Sequence, residues 1–524
     1  MAARAYTRGA GGDVLIRGGV VADGTPTAPA PADVLLDGER IAAVEPPGTI
    51  ATDGHDVLDA DGLVVAPGFV DVHSHADNAP LLDEDDTTKI LQGVTTEVVG
   101  NCGFSLAPAT PGHESDLAEL TGRIFPPLEW RWSTFAELLA RLDERGYVTN
   151  YVPLVGHGTL RLAVIGPDDR LLNADERARM GELLRAATDA GAFGLSTGLI
   201  YSPATFSDTA ELTDLASYLP EGRLYATHMR DEGAGLKASI SEALEIGQRS
   251  GRAVQISHLK ATGQGNWGGV AAALEQIATA RAAGQAISQD VYPYTASSTM
   301  LTSRLPSWFE DGGHHAILGR LDDADALARL RAEISHSWDQ VLVASTGSHE
   351  FEGETIPEIA ERLDVEPFDA FVEVLRREQL RVSAVLFTMD EGDVVTGLSD
   401  EHTMVGSDGL PPGVGGKPHP RLFGTFPRIL GRYVRERRVL DLGVAVHQMT
   451  GLPAATFGLS DRGLVRPGMV ADLVGFDPQT VTDVGDYRDP VHPPEGIAWV
   501  MQAGAPAVRD GRFQGTRRGR RLAP

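Results

Sequence analysis

The chain has 524 residues, 42% of them hydrophobic, and a formal net charge of −28 at pH 7. Such a length allows a large buried core, and the acidic balance argues against nucleic acid and anionic membranes as partners. The single cysteine, Cys102, excludes an intramolecular disulfide. Residues 1–12 contain no apolar segment typical of a secretion signal, and no stretch is long enough for a membrane span, so we expect a cytoplasmic protein.

Short β-strands are predicted at both ends of the chain. The N-terminal part carries apolar runs separated by Gly and Pro, at 14–16, 20–21, 34–36 and 41–44. Similar runs lie near the other end, at 472–476 and 499–501. We therefore expect residues 13–66 and 460–515 to form one small β-sandwich.

Residues 67–459 alternate apolar strands with helical segments, which indicates parallel βα units. The strand candidates are 68–73, 94–100, 151–156, 192–196, 224–227, 253–257, 286–291, 341–345, 383–388 and 403–407. A barrel needs eight strands, so the surplus is expected in 296–400, and 296–350 is assigned to an inserted subdomain. The predicted fold class is α/β, a TIM-like (β/α)8 barrel with a terminal β-sandwich and this insertion.

The first barrel strand, Pro67-Gly68-Phe69-Val70-Asp71-Val72-His73-Ser74-His75, ends in two histidines one residue apart. Side chains at i and i+2 of a strand point the same way, so His73 and His75 can hold one ion together. Two ordinary histidines at a strand end are the alternative, because so short a motif also occurs by chance.

Four further candidate ligands follow other predicted strands: Cys102, His228, His258 and Asp408. The carboxyl ends of barrel strands meet at one rim, where barrel enzymes place their chemistry. Each residue taken singly has an ordinary structural explanation, such as a small core cysteine or a turn aspartate. Together with the histidine pair, these placements favour a metal site.

These motifs resemble those of a known family. The Gly68–His75 motif with the later ligands looks like the amidohydrolase superfamily. Further stretches are similar to the N-acyl-D-amino-acid deacylases (D-aminoacylases) of that superfamily: Gly93–Pro108 with its Asn101-Cys102-Gly103, Gly191–Leu199, Tyr292-Pro293-Tyr294 and His419–Pro427. The resemblance runs from about residue 13 to about residue 510.

The resemblance implies one tightly bound zinc ion, held by Cys102, His228 and His258. It implies a second, weaker or partly filled site, whose ligands are His73, His75 and Asp408. The Cys102 thiolate would bridge the two sites where most of the superfamily uses a carboxylated lysine or a glutamate. A thiolate with imidazoles suits Zn²⁺ better than Mg²⁺ or Ca²⁺.

The implied reaction is hydrolysis of N-acyl-D-amino acids to a carboxylate and a free D-amino acid. Asp408 would serve as general base for the attacking water, and Tyr292 would help to stabilise the oxyanion. The resemblance places Lys260 and Arg421 at the substrate α-carboxylate, with Ser298 and Tyr292 as hydroxyl donors. Arg304 would favour an acidic substrate side chain if it points inward.

Three alternatives stay open. The first is a serine hydrolase, because Gly194-Leu195-Ser196-Thr197-Gly198 matches a nucleophile elbow. The second is a dihydropyrimidinase-like amide hydrolase, although the fourth strand offers no lysine for carboxylation. The third is a non-catalytic scaffold, although all six ligands are present. The sequence leaves the oligomeric state open, and it predicts a solvated, frayed end for the basic stretch 517–521.

Overall fold

The computed structural model describes residues 6–7, 13–334 and 337–524. The N-terminal stretch used to predict the compartment therefore lies mostly outside the described residues. None of the described helices is both long enough and apolar enough to cross a bilayer.

The chain begins with β-strands that fold into one sheet. They are β1 (Tyr6–Thr7), β2 (Val14–Val21), β3 (Ala30–Asp37), β4 (Arg40–Glu45), β5 (Asp56–Asp59) and β6 (Val64–Pro67). In β2 the register shifts between Ile16 and Gly19, and Gly18 takes a φ of 81° there. Glycine adopts this conformation without steric cost, so the strand can bend while still pairing with β3.

Parallel strands of the barrel follow. They are β7 (Phe69–Asp71), β8 (Val94–Val99), β9 (Asn150–Pro153), β10 (Val155–Gly156), β11 (Gly194–Gly198), β12 (Leu224–His228), β13 (Ala253–Ile256) and β14 (Ile287–Val291). Both β9 and β10 belong to the third barrel strand, which is interrupted at Leu154. All residues of β8, β11 and β12 are buried, because helices and loops cover both faces of a parallel sheet.

Helices connect these strands. They are α1 (Glu114–Thr121), α2 (Phe135–Arg145), α3 (His157–Ile165), α4 (Ala174–Ala190), α5 (Thr209–Ser217), α6 (Leu236–Ser250) and α7 (Gly269–Ala282). Helix α4 starts with a capping box between Asn173 and Glu176, which satisfies its first free N–H groups. Helix α6 ends at Gly251 in the left-handed conformation, as its sequence predicts.

An antiparallel subdomain interrupts the barrel after β14. Its strands are β15 (Ser297–Met300), β16 (Val341–Thr346) and β17 (Val382–Leu386), in the order β15-β17-β16. Its helices are α8 (Ser307–Glu310), α9 (Gly313–Leu321), α10 (Ala324–Glu333), α11 (Ile356–Leu363) and α12 (Pro367–Arg377). The predicted range 296–350 is too short, because the central strand β17 comes from residues 382–386. This unit has its own apolar core, which includes Phe309, Phe351 and Phe371.

The eighth barrel strand is β18 (Thr403–Val405), which pairs with β14. Two of the ten candidate strands, 341–345 and 383–388, belong to the subdomain as β16 and β17. The other eight are the strands that a barrel needs. The barrel closes by an isolated bridge between Ser74 and Gly409 and by the Asp408 N–H, which donates to the His73 carbonyl at 2.7 Å. The closure therefore joins two of the expected ligands directly.

The remaining helices are α13 (Glu391–Leu398), α14 (Arg421–Arg428), α15 (Leu442–Met449) and α16 (Gly451–Thr456), and a π-helix spans Ile429–Glu436. Single 3₁₀ turns occupy Ala76–Leu81, Ile90–Gln92, Ala204–Phe206, Gln264–Asn266, Leu301–Arg304 and Trp338–Gln340. Helix α14 follows the loop that begins after Asp408 and carries Arg421 in its first turn.

The chain returns to the first sheet at its end. Strands β19 (Leu473–Phe476), β20 (Ile497–Gln502), β21 (Ala505–Arg509) and β22 (Arg512–Phe513) join it, and β19 pairs with β6. Both terminal segments therefore share one ten-stranded sheet, which encloses an apolar core containing Ile16, Val34, Leu473 and Trp499.

The basic stretch 517–521 does not fray, contrary to the prediction. The Tyr151 N–H donates to the Arg520 carbonyl at 2.9 Å, and the Leu522 N–H donates to the Tyr151 carbonyl at 2.9 Å. The Arg521 guanidinium lies 2.8 Å from the Asp143 carboxylate. Arg517 and Arg521 pair with Asp85 and Asp143 of the barrel, and Arg518 and Arg520 pair with Glu39 beside the terminal sheet, so these ion pairs keep the tail in place.

Candidate metal centre and active site

The six expected ligands come together at the rim formed by the carboxyl ends of the barrel strands. His73 and His75 follow β7, Cys102 follows β8, His228 ends β12, His258 follows β13 and Asp408 follows β18. All six side chains are buried. The barrel geometry therefore delivers the cluster that the strand-end positions predict.

Four of these residues surround one point. His73, Cys102, His258 and Asp408 each offer one ligand atom, and these atoms lie within 4.8 Å of one another. The Cys102 Sγ is 3.2 Å from His73 Nε2 and 3.5 Å from His258 Nε2. This is the spacing of a donor set that can share one ion or bridge two.

His75 and His228 lie on opposite flanks of this group. His75 Nε2 is 3.2 Å from Asp408 Oδ1, and His228 Nδ1 is 2.9 Å from His258 Nε2. The donors thus extend from the His75 and Asp408 side to the His228 and His258 side, with Cys102 between them. This arrangement fits two neighbouring metal positions that share the sulfur.

The backbone is in the left-handed region at three of the expected ligands. Cys102, His258 and Asp408 have φ values of 54°, 36° and 48°. A non-glycine residue in this region costs of the order of 1–3 kcal/mol, and such residues concentrate at functional sites. No sequence feature predicts these conformations.

The surroundings of the Cys102 thiol favour its ionised form. Burial by itself raises its pKa, but the neighbouring His73, His228 and His258 lower the pKa well below the ordinary value. A buried thiolate among imidazoles is the donor that zinc prefers, so the residues present fit a zinc ion.

Asp408 is also ionised. Burial raises the pKa of its carboxyl, but Arg421 and His73, with smaller contributions from other neighbours, hold that pKa well below its usual range. The Arg421 Nη2 lies 2.9 Å from Asp408 Oδ2. The predicted general base and the predicted carboxylate-binding cation therefore contact each other directly.

Arg421 is fully buried yet only partly hydrogen-bonded. Its Nη2 also donates to the Ser298 carbonyl at 2.9 Å, and its guanidinium carbon lies 4.5 Å from the centre of the Tyr292 ring. Within the described residues, Nε and Nη1 of Arg421 and the buried Ser298 hydroxyl have no hydrogen-bond partner. Arg421, Ser298 and Tyr292 thus form one group beside Asp408, with donors to spare.

Lys260 is engaged rather than free. Its Nζ lies 2.6 Å from Glu232 Oε1 and donates to the His258 carbonyl at 3.1 Å. The ammonium also lies 5.8 Å from the centre of the Tyr292 ring. Its role at the substrate carboxylate stays a prediction, and binding there would compete with this ion pair.

Glu232 was missed by the sequence reasoning. Its carboxylate lies 3.0 Å from His258 Nδ1 and 3.6 Å from His228 Nε2. Burial raises the pKa of this carboxyl, but Lys260 and the two histidines hold it well below its usual value. Its position four residues after His228 is the only signal in the sequence.

Asp290 is a second missed residue. Its Oδ1 lies 3.3 Å from His73 Nδ1 and accepts the His258 N–H at 2.9 Å, while Gln255 donates to Oδ2 at 2.7 Å. Carboxylates behind ligating histidines orient the rings. An aspartate near the end of the predicted strand at 286–291 could have indicated this role.

A fully paired charge cluster, the Lys89 cluster, lies behind the first strand. It comprises Lys89, Asp71, Ser74, Glu97 and Ser407. Lys89 Nζ donates to Asp71 Oδ2 at 2.8 Å, to Ser74 Oγ at 3.1 Å and to Glu97 Oε2 at 3.4 Å. The Ser407 hydroxyl donates to Asp71 at 2.6 Å, so the cluster links the first, second and eighth strands.

The serine of the elbow-like motif is not placed as a nucleophile. Its hydroxyl donates to the Gly100 carbonyl and accepts the Gly103 N–H at 3.0 Å, and Ser196 is buried. The fourth strand, Gly194–Gly198, contains no lysine. The fold thus uses this motif for packing.

Arg304, at the end of its 3₁₀ turn, lies beside Tyr201. Burial lowers the pKa of the guanidinium, and the neighbouring Tyr201 acts in the opposite direction. The Tyr201 ring lies 5.1 Å from the His228 ring. Arg304 is therefore near the ring that packs against His228.

Comparison with known proteins shows the family of the chain. The model of a family described as "Amidohydrolase family" matches residues 56–495. The D-aminoacylase of Alcaligenes xylosoxydans xylosoxydans is 39% identical over 515 residues, which cover 98% of this chain and 97% of that protein. The N-acyl-D-aspartate deacylase of the same organism is 39% identical over 516 residues, covering 98% and 95%.

A solved structure is similar over the same length. It is the N-acyl-D-glutamate deacylase of Bordetella bronchiseptica, complexed with zinc and a phosphonate inhibitor. Its TM-score is 0.83 at 37% identity, and the match covers 97% of this chain and 99% of that one. The chain therefore belongs to the D-aminoacylase group of the amidohydrolase family.

Proposed function

We propose that the protein hydrolyses N-acyl-D-amino acids to a carboxylate and a free D-amino acid at a zinc centre. The single observation that carries this proposal is the Asp408–Arg421 contact at 2.9 Å beside the thiolate and imidazole cluster. It puts a proton acceptor next to a cation with unused donors. The relatives named above, which act on N-acyl-D-amino acids by name, support the substrate class.

The ligands proposed for the tight zinc are Cys102, His228 and His258, and those for a second, weaker position are His73, His75 and Asp408. A bound zinc supplies Lewis acidity, which polarises an amide carbonyl and lowers the pKa of a water to about 7. Glu232 lies 3.0 Å from His258 Nδ1 and Asp290 lies 3.3 Å from His73 Nδ1, so both carboxylates are placed to hold the rings toward the centre.

Side chains of the protein carry out proton transfer and substrate binding. Asp408 accepts the proton of the attacking water and returns it to the leaving amine. Tyr292 donates toward the carbonyl oxygen, and Arg421 with Ser298 binds the α-carboxylate through the donors left free in the resting structure. Lys260 assists after leaving Glu232.

We further propose that Arg304 favours substrates with an acidic side chain. Its place near Tyr201, whose ring packs on His228, puts a cation near the His228 part of the site. The comparison proteins with acidic substrates by name fit this idea. A cytoplasmic location and the lack of nucleic-acid partners stay predictions from composition.

The test is a zinc determination with an amidase assay on matched N-acetyl-D- and N-acetyl-L-amino acids bearing aspartate, glutamate and leucine side chains. We expect about one tight zinc per chain and turnover of the D series. A cyclic amide such as dihydrouracil is the control for a dihydropyrimidinase-like enzyme. Zinc-loaded protein that turns over none of these compounds would favour the scaffold alternative.

A further inference from the structure

A second cavity of about 460 Å³ lies away from the metal centre. It is bounded on one side by the barrel loop after α1, including Phe125 and Trp130, and on the other by the inserted subdomain at Arg381. None of the six expected metal ligands lines it. Its volume falls within the range of about 300–1,000 Å³ typical of small-molecule sites.

The charged side chains on the wall of this cavity are two arginines. Arg123 and Arg381 line it, and among the described residues no Asp or Glu does, although the chain carries a net charge of −28. The Arg123 side chain is only 4% exposed, and its ion pair with Glu310 is long, at 3.7 Å. Its Nε has no hydrogen-bond partner in the described part of the chain.

A buried guanidinium with an unused N–H loses hydration without full compensation, which is costly unless a ligand supplies the acceptor. The pKa of the neighbouring His314 is consistent with positive charge in this region. Burial, followed by the positive charge of Arg123, with His315 and Arg381 adding to it, lowers the pKa of His314 to about 4. The two arginines therefore create a positive potential on a common region.

Apolar side chains on the wall are Phe125, Leu128, Trp130 and Val414, and hydroxyl groups come from Thr121, Ser345 and Thr346. Glu310 already offsets part of the charge of Arg123, so one further negative charge balances the wall better than two. We propose that this cavity binds an organic monocarboxylate with an apolar body, its carboxylate on Arg123 and Arg381. This site is separate from the metal centre and does not depend on the proposed hydrolysis.

Octanoate is a suitable probe, titrated into zinc-loaded, full-length protein by isothermal calorimetry. We expect one site per chain, because the cavity has one cationic end. Loss of a charge-assisted contact costs about 10- to 150-fold in affinity, so Arg381→Gln and Arg123→Gln should each weaken binding by that factor. Arg179→Gln, an exposed arginine on α4, is the matched control and should bind like wild type.

Two comparisons locate the bound octanoate. Octan-1-ol, with the same apolar body and no charge, should bind more weakly by a similar factor. Arg421→Lys should leave the octanoate affinity unchanged. Thermal melting checks that Arg123→Gln is folded, and Arg381→Gln carries the test by itself because Arg381 is exposed. The proposal is overturned if wild type does not bind octanoate, if octanol binds as tightly, or if Arg421→Lys loses the binding and Arg381→Gln does not.

Discussion

Two buried polar clusters at the barrel rim differ in how completely their hydrogen bonds are satisfied. In the Lys89 cluster, no buried side-chain nitrogen or oxygen lacks a partner within the described residues. Beside it, the metal centre leaves His228 Nε2, Arg421 Nε and Nη1, and the Ser298 hydroxyl without one. The satisfied cluster serves the resting fold, whereas the unsatisfied donors indicate where a metal and a substrate complete the structure.

The largest effect should follow from removing Cys102, the proposed shared ligand. Cys102→Ala deletes the thiolate that lies between the two histidine sides, so we expect loss of both zinc and activity. Elemental analysis of purified protein measures the metal. Full zinc retention would show that Cys102 is not a ligand. If the zinc-free Cys102→Ala variant melts like the wild type, Cys102 serves the metal and not the stability of the fold, unlike the Lys89 cluster.

Asp408→Asn keeps the shape of the side chain but cannot accept the proton. A general base contributes about 10²- to 10⁴-fold, so kcat should fall by at least about 10²-fold while the tight zinc remains. Kinetics on zinc-quantified protein test this. If turnover stays near normal with the tight zinc in place, another group is the base.

Lys89→Met should act on stability instead. Removing one partner leaves Asp71 and Glu97 buried and negative, and breaking a buried pair costs about 3–5 kcal/mol in the free energy of unfolding. Denaturant unfolding measures this loss. Lys237→Met, on the exposed face of α6, is the control and should stay within about 0.5 kcal/mol.

An unchanged stability of Lys89→Met would contradict a structural role of the Lys89 cluster. A folded Lys89→Met variant that loses as much turnover as Asp408→Asn would also contradict it, because the cluster would then serve activity.

Arg421→Ala should lose a charge-assisted contact to the substrate. Because Arg421 also binds Asp408, kcat/KM should fall for every substrate. For a substrate with an α-carboxylate, it should fall by a further factor of about 10 to 150. Comparing N-acetyl-D-leucine with an N-acyl amine that lacks the carboxylate isolates this factor. Arg421→Lys should also be harmful, because an ammonium cannot bind a carboxylate bidentately.

Equal slowing of both substrates by Arg421→Ala would show that the carboxylate is bound elsewhere. Lys260 would then be the first group to examine, since its ammonium lies 5.8 Å from the centre of the Tyr292 ring.

The smallest effect is expected from Glu232→Gln. The amide can still accept from His258 but no longer carries the charge that holds Lys260 and the histidines. Partners behind metal ligands typically contribute about 10- to 100-fold in metal affinity, which competition with a zinc chelator measures. Glu245→Gln, an exposed residue on α6, is the control, and an affinity equal to that control would mean that Glu232 does not orient the ligands.

The sequence by itself determined the barrel and the family and predicted six ligands at strand ends, because these depend on local periodicity and on motifs read along one strand. It could not separate β17 from the barrel strands, since both are buried apolar runs and only pairing distinguishes them. It also predicted a frayed tail, because the carboxylates that hold the tail are distant in the chain.

Only the tertiary structure decided which charges meet. The Asp408–Arg421 contact, the placement of Glu232 and Asp290 behind the histidines, and the convergence of Arg123 and Arg381 all join loops from different strands. The physical reason is that a side chain's partner is set by the packing of the elements that carry it. A linear pattern fixes the direction of a side chain from its strand, but not what lies opposite.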